Sequence, residues 1–364
     1  MGDRHMTWSI GGPYASGYEH LAVLAANNWA DTTWLSTRQY IQVGPPKVTI
    51  TVDDYGSFDW SGTALDAFPP CGPAGPGEEG VRQRILISHY EHRNATEAEK
   101  RSTIAHEFGH ALGLAHPYDQ LVDTPCAHVA LMNHYWVPRS DCGVSTAQED
   151  DIAGVNYIYY PLPDCSPYEP CRAARPEGHE ERSLIPPERA RSVRSTSPPS
   201  DTATPYILDH KYEYDSLSDV AEEASDVVIA EATGESRVEY IGGGSDDPWV
   251  DPVPFTVSTV RVTAVESGAY DAGDLIEVRQ YGDLTEYAVN GAPILAAGEE
   301  YLLYLKPWET LTDSSTGQHI IVGDQAVWRL SGDRGEAIAG RSELPLHVAV
   351  DVARGTFVTD ESER

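Results

Sequence analysis

Apolar residues recur with two periods over the first 160 positions and with one period after position 206. In YEHLAVLAANNWADTT (18–33), Leu21, Leu24, Ala25 and Trp29 keep close to helical spacing, which predicts an amphipathic helix. KVTITVDD (47–54) alternates apolar and polar residues and predicts a strand, as does VRQRILISHY (81–90). Between them, FPPCGPAGPGEEG has the proline and glycine content of a loop. Thr96 followed by Glu99 is a capping-box pair, so a helix starts near 97. A further helix is expected over 146–159, with Ile152, Val155 and Ile158 or Tyr159 facing inward.

From 161 to about 205 the texture changes. The segment is rich in Pro, Arg, Ser and Glu and poor in apolar residues, too poor to offset its ordering entropy, so it reads as a linker; the alternative is a loosely packed flap on the first domain. After 206 the runs SDVVIAEATG, PFTVSTVRVTAVESG, DLIEVRQYG, EYLLYLKPW and HIIVGDQAVWRL are strand-like, and LSDVAEEA (217–224) is one short helix. Several short strands with turn residues between them predict a closed barrel or a sandwich. The expected organisation is a remnant of cloning at 1–6 (MGDRHM), a first domain over 7–163 of α+β class with a mixed twisted sheet, a linker over 164–205, and an all-β domain over 206–364.

Composition narrows the partners. The 364 residues carry a net charge of −32, which opposes binding to nucleic acid or to anionic lipid. No run of 18 apolar residues is present, so no membrane-spanning helix is expected. The cysteines are Cys71, Cys126, Cys142, Cys165 and Cys171, none in a CxxC pair. They suit disulfides in an exported protein whose signal peptide has been removed; reduced thiols in a cytosolic chain are the alternative. Cys126–Cys142 and Cys165–Cys171 are the simplest local pairs and leave Cys71 over.

The chemistry concentrates in TIAHEFGHALGLAHPYD (103–119). On a helix, Ile104, Phe108, Ala111 and Leu112 fall on one side, and His106 and His110 fall together on the other, one turn apart. Gly113 can take a positive φ and end the helix, so His116 can return as a third nitrogen ligand. Three protein ligands leave a fourth tetrahedral position open, the arrangement of a catalytic zinc ion. Glu107 lies beside His106 without needing to ligate and is placed to act as a general base.

HEFGHALGLAH (106–116) is similar to the zinc signature of the metzincin metallopeptidases, and ALMNHYW (130–136) resembles their Met-turn. The resemblance covers roughly 7–163 and is nearest to the matrixin-like branch. It implies a secreted zinc endopeptidase acting on a protein or peptide substrate, with Met132 beneath the metal. It also implies that ILISHYEH is the edge strand beside which substrate lies, and that STAQEDDIAGVNYIYY is the helix closing the domain. Within this reading Cys142 pairs with Cys126 and clamps the segment that carries Met132. His134 stands where some metzincins carry a metal-reaching tyrosine, and Tyr135 is next to it; both are candidates for oxyanion contact or for the S1′ wall. His89, His92 and His128 are candidates for a second metal site, and DDYGSFD (53–59) for calcium or else a solvated acidic loop. No matrixin-type propeptide is expected, so latency through an upstream cysteine is not.

The second region is similar to netrin modules, five-stranded OB-type barrels found in the tissue inhibitors of metalloproteinases. Those inhibitors act through an N-terminal cysteine, and none is present after 171. Substrate docking, surface attachment and regulation of the neighbouring cleft are therefore open roles. The competing expectations are a binding or adhesion protein that uses the zinc fold as scaffold, and a self-inhibited pair in which the barrel contacts the catalytic cleft.

Overall fold

The structure, a computed structural model, describes residues 5–33, 35–39, 46–65, 83–117, 124–158, 204–210, 214, 216–242, 252–282, 287–289, 294–313, 316–322, 326–332, 334–338, 347–351 and 356–358. The first half runs β1 (His5–Gly11), α1 (Glu19–Thr32), β2 (Ser36–Gln39), β3 (Val48–Asp53), β4 (Trp60–Leu65), β5 (Gln83–Ser88), α2 (His89–His92), α3 (Glu97–Ala111), α4 (Trp136–Asp141) and α5 (Glu149–Ile158). Strands β2, β1, β3 and β5 are parallel neighbours in that order, and β4 joins β5 antiparallel. Val48, Ile50 and Val52 of β3 and Ile85 and Ile87 of β5 share one core with α1 and α3. Helices α1 and α3 cover one face of the sheet, and Leu86 of β5 packs on the other among residues of the second half, so the parallel strands are covered on both faces.

Local sequence explains the helices. Thr96 caps α3 with the reciprocal bonds of a capping box: its hydroxyl accepts from Glu99 N, and the Glu99 carboxylate accepts from Thr96 N. Helix α1 buries Leu21, Ala22, Ala25, Ala26 and Trp29, and the indole of Trp29 donates to Ala105 O at 2.9 Å, joining α1 to α3. Leu24, expected inward, is 47% exposed, because the small Ala22 and Ala26 let the helices approach on a face turned away from it. Strand β1 begins at His5 and buries Met6, so residues set aside as a cloning remnant take part in the sheet.

The second half runs β6 (Thr204–His210), α6 (Leu217–Glu223), β7 (Asp226–Ile241), β8 (Val253–Ser267), β9 (Leu275–Tyr281), β10 (Tyr287–Val289), β11 (Glu300–Pro307), β12 (Gln318–Ile321), β13 (Val327–Ser331), β14 (Arg334–Ala337), β15 (His347–Asp351) and β16 (Thr356–Val358). Strand β7 pairs with β8, β8 with β9, β9 with β12 in parallel, β12 with β11, and β11 again with β7. These pairings make a circuit of five strands, and β13 to β16 extend the sheet beyond β11. One hydrophobic cluster holds Val228, Ile229, Val260, Val278, Leu302, Leu303, Val327 and Trp328 together with Val220 of α6.

Two strands of the second half belong to the first sheet. Strand β6 pairs antiparallel with β4, and β10 pairs parallel with β6. The full order is β10-β6-β4-β5-β3-β1-β2. This corrects the reading of ILISHYEH as an edge strand: β5 lies between β3 and β4, and its residues are buried on both faces. The acidic stretch 53–59 is corrected too. Tyr55, Phe58 and Trp60 are fully buried, in one apolar cluster with Val253, Phe255, Tyr281, Trp308 and Ile320 of the second half. The Trp308 indole donates to Tyr55 O at 3.2 Å and Leu311 N donates to the Asp54 carboxylate at 2.7 Å. Asp59 pairs with half-buried Lys306; burial alone would lower that ammonium's pKa, and Asp59 raises it above the ordinary lysine value. The carboxylates expected to be solvated are therefore part of a docking loop.

Cys126 and Cys142 form a disulfide. Cys71, Cys165, Cys171 and residues 164–203 of the expected linker lie outside the described residues, whereas 204 and 205 belong to β6. Among the described residues no helix is long and apolar enough to cross a membrane.

Candidate metal centre

Helix α3 delivers two imidazoles and its C-terminus turns the chain to deliver a third. Gly113, at φ 92°, closes the helix with a Schellman pair: Gly113 N donates to His110 O at 2.8 Å and Leu114 N to Gly109 O at 3.0 Å. The reversal brings His116 back over the helix. The Nε2 atoms of His106, His110 and His116 are 3.0–3.1 Å apart in all three pairs. A tetrahedral zinc ion with bonds of about 2.0–2.1 Å sets its ligand nitrogens roughly 3.3–3.4 Å apart. The three side chains thus converge on one point with nearly that spacing, and they are the metal-binding group found among the described residues.

The other ring nitrogens say which protons are present. His106 Nδ1 lies 2.8 Å from Leu131 O, and His110 Nδ1 lies 2.8 Å from Leu114 O. A carbonyl oxygen only accepts, so each Nδ1 carries the proton and donates. Each Nε2 is then a bare lone pair when the ring is neutral. His116 Nδ1 is 2.7 Å from His134 Nδ1, one of the two donating to the other. Protonation is disfavoured throughout. Burial lowers the His110 pKa to about 4, and His106 and His116 are held well below the ordinary imidazole value by burial first and then by neighbouring charge, Arg139 for His106 and the other imidazoles for His116. Neutral lone pairs aimed at each other 3 Å apart repel, and a cation between them removes the repulsion. The donor set therefore fits a divalent metal.

The floor of the site depends on residues that the sequence pattern did not single out. A Cβ on Gly109 would lie 2.2 Å from Met132 Sδ, so Met132 seats against the helix backbone only because position 109 has no side chain. Met132 itself is buried. The Asp151 carboxylate, at the start of α5, accepts from Leu131 N at 2.8 Å and Met132 N at 3.1 Å and fixes that turn. Arg139 is fully buried; its guanidinium donates to Asn133 O at 2.6 Å and lies 2.6 Å from His106 Nδ1. Since that Nδ1 already donates to Leu131, the contact with Arg139 is electrostatic. The Cys126–Cys142 bridge closes the loop that contains Met132 and Arg139. An acid in a helix's first turn and a glycine inside a helix have commoner explanations, which is why these roles stay hidden in the sequence.

Glu107 is fully buried and faces β4: a Cβ on Gly62 would lie 2.8 Å from its Oε1. The sheet therefore carries a glycine where the carboxylate rests. His134 sits behind His116 on its Nδ1 side, and Tyr135 forms the N-cap of α4 with its ring 4.8 Å from that of His134. The histidines considered for a second site stay apart. His92 bonds Ser88 O and Thr103 Oγ1, His89 bonds the Tyr18 hydroxyl, and His128 is exposed.

No protein-family model matches this chain, and no curated protein matches it. A solved structure of myroilysin aligns with 32% of this chain and 50% of its own, at 18% sequence identity and a TM-score of 0.21. The chain spans about half the length of that protein. At that score the likeness carries no argument, and the function rests on the site's own residues.

Proposed function

We propose that this chain is an exported zinc endopeptidase of the metzincin type, nearest the matrixin-like branch. The observation that carries the reading is the convergence of the Nε2 atoms of His106, His110 and His116, with the Nδ1 of His106 and His110 already committed to backbone carbonyls. Those three residues would hold the ion. Bound zinc supplies Lewis acidity, which polarises a carbonyl and acidifies water. Ionised Glu107 is an acceptor-only group beside the first ligand; it takes a proton from water at a carboxylate oxygen and returns it to the departing amine. Met132 and the turn held by Asp151 keep the imidazoles from shifting. His134 orients His116 through the Nδ1 contact, in the manner of outer-shell partners that fix a ligand's tautomer.

Strand β4 supports the choice of a peptide as substrate. It is the antiparallel strand against which Glu107 rests, and an extended peptide pairing with such a strand places its backbone beside the proton acceptor. The five-strand circuit of the second half supports an OB-type barrel as its architecture. The disulfide supports export. Glu107→Ala should keep its zinc and lose peptide hydrolysis by about 10²–10⁴-fold, measured by metal analysis and a fluorogenic peptide assay on the same protein. Undiminished hydrolysis would remove Glu107 from the mechanism.

A further inference from the structure

The edge of β4 that faces away from β5 already has an occupant, and it comes from this chain. Strand β6 pairs there antiparallel, with Leu65 opposite Tyr206, Ala64 opposite Ile207, Thr63 opposite Leu208 and Gly62 opposite Asp209. Register shifts between Trp60 and Gly62, where His210 is reached. Gly62 is the residue against which the Glu107 carboxylate rests. The backbone of 208–210 is therefore one strand spacing, about 5 Å, from the strand residue that touches the general base. An extended peptide adding to a sheet does so by backbone bonds to a strand edge, and one edge accepts one strand.

We propose that Thr204–His210 is a tethered occupant of the peptide-binding edge of β4, lying where an extended substrate would pair and holding the peptidase in check until it is displaced. The proposal rests on the peptidase reading above. Three further observations support it. Strand β10 pairs with the far side of β6, so the occupant is held on both edges. The loop just before β4 is pinned to the second half through Tyr55, Phe58, Trp60 and Trp308, and Tyr90 donates to the Glu309 carboxylate at 3.0 Å. Finally, β6 belongs to the same chain, so its pairing with β4 is intramolecular and a free peptide must compete with its effective concentration. The second half thus acts as the clamp and β6 as the ligand.

The test uses the full chain. Ile207→Pro removes a backbone donor from β6 and disfavours pairing. Its kcat/KM on an extended fluorogenic peptide should rise about tenfold or more. The synthetic peptide TPYILDH, the sequence of 204–210, should inhibit this variant competitively. A second variant, Ala64→Cys with Ile207→Cys, places two thiols on register partners. Under mild oxidation it should cross-link and fall below the parental rate, and it should return to that rate on reduction. Carried in the Glu107→Ala background, labelled TPYILDH should bind the Ile207→Pro chain and not the cross-linked one, a readout that needs no catalysis.

A folded Ile207→Pro chain with unchanged kcat/KM would overturn the proposal. So would failure of the 64–207 pair to cross-link, and this second result decides the matter if the proline variant does not fold. Cross-linking and peptide binding without hydrolysis by any chain would keep the occupant and sink the peptidase reading. Equal hydrolysis by all chains would do the reverse.

Discussion

Gly109 lies inside a helix, where glycine costs about 1 kcal/mol relative to alanine. The structure gives it a reason: a Cβ there would meet Met132 Sδ at 2.2 Å and Trp29 Cζ2 at 3.2 Å. Met132 and Trp29 are both buried, so neither has room to withdraw. Overpacking of this kind costs about 1–3 kcal/mol, which equals or exceeds the gain in helix propensity. Gly109→Ala should therefore lower stability in urea denaturation despite its better propensity, and it should loosen the metal by shifting the C-terminal end of α3, which carries His110. A stabilised variant with full zinc content would show that Met132 does not seat on the helix backbone. The convergence of the three histidines was legible in the sequence because two stand one helical turn apart and Gly113 turns the chain before the third. Gly109, Gly62 and Asp151 were not, because each answers to a residue distant in the chain.

At the scale of elements, the site is the end of one helix and the turn after it. Helix α3 was readable from its capping box and its apolar positions, and its stop from Gly113. The sequence reading put the histidines on a face away from the core. The structure buries His106, Glu107 and His110 completely, because the loop 130–139 and β4 close over that face. Gly113 takes φ 92°, a conformation that costs a residue with a Cβ on the order of 1–2 kcal/mol. Gly113→Ala should lower stability by about that amount and should weaken zinc binding more than it weakens folding, since only His116 depends on the direction of the turn. A chelator competition assay beside a thermal melt separates the two. Equal small losses in both would mean that His116 reaches its place by another route. Strand β5 shows the limit of pattern reading: alternation identifies a strand but not its neighbours, so ILISHYEH could be assigned to an edge although β4, β6 and β10 lie beyond it.

At the scale of the molecule, the two halves share a core. Trp308 lies among Tyr55, Phe58 and Trp60, and the Arg279 guanidinium stacks over its ring at 3.9 Å. The sequence reading made the 53–59 loop solvated because its acids are conspicuous, whereas its aromatic residues decide its place. The inter-half contact could not be read from composition, since Tyr55 and Phe58 show no periodicity with Val253 or Phe255, some two hundred positions away. Trp308→Ala should cost about 3–5 kcal/mol of docking. Calorimetry should then resolve two unfolding transitions where the parent shows one. A single unshifted transition would mean that the aromatic cluster does not hold the halves together.

The central claim is that His106, His110 and His116 bind a metal ion. It is tested most directly by elemental analysis of the purified, dialysed chain beside a His110→Ala variant. The account predicts about one zinc per chain in the parent and a loss of most of it in the variant. A parent free of zinc after incubation with the metal, or a variant that retains it in full, would contradict the account.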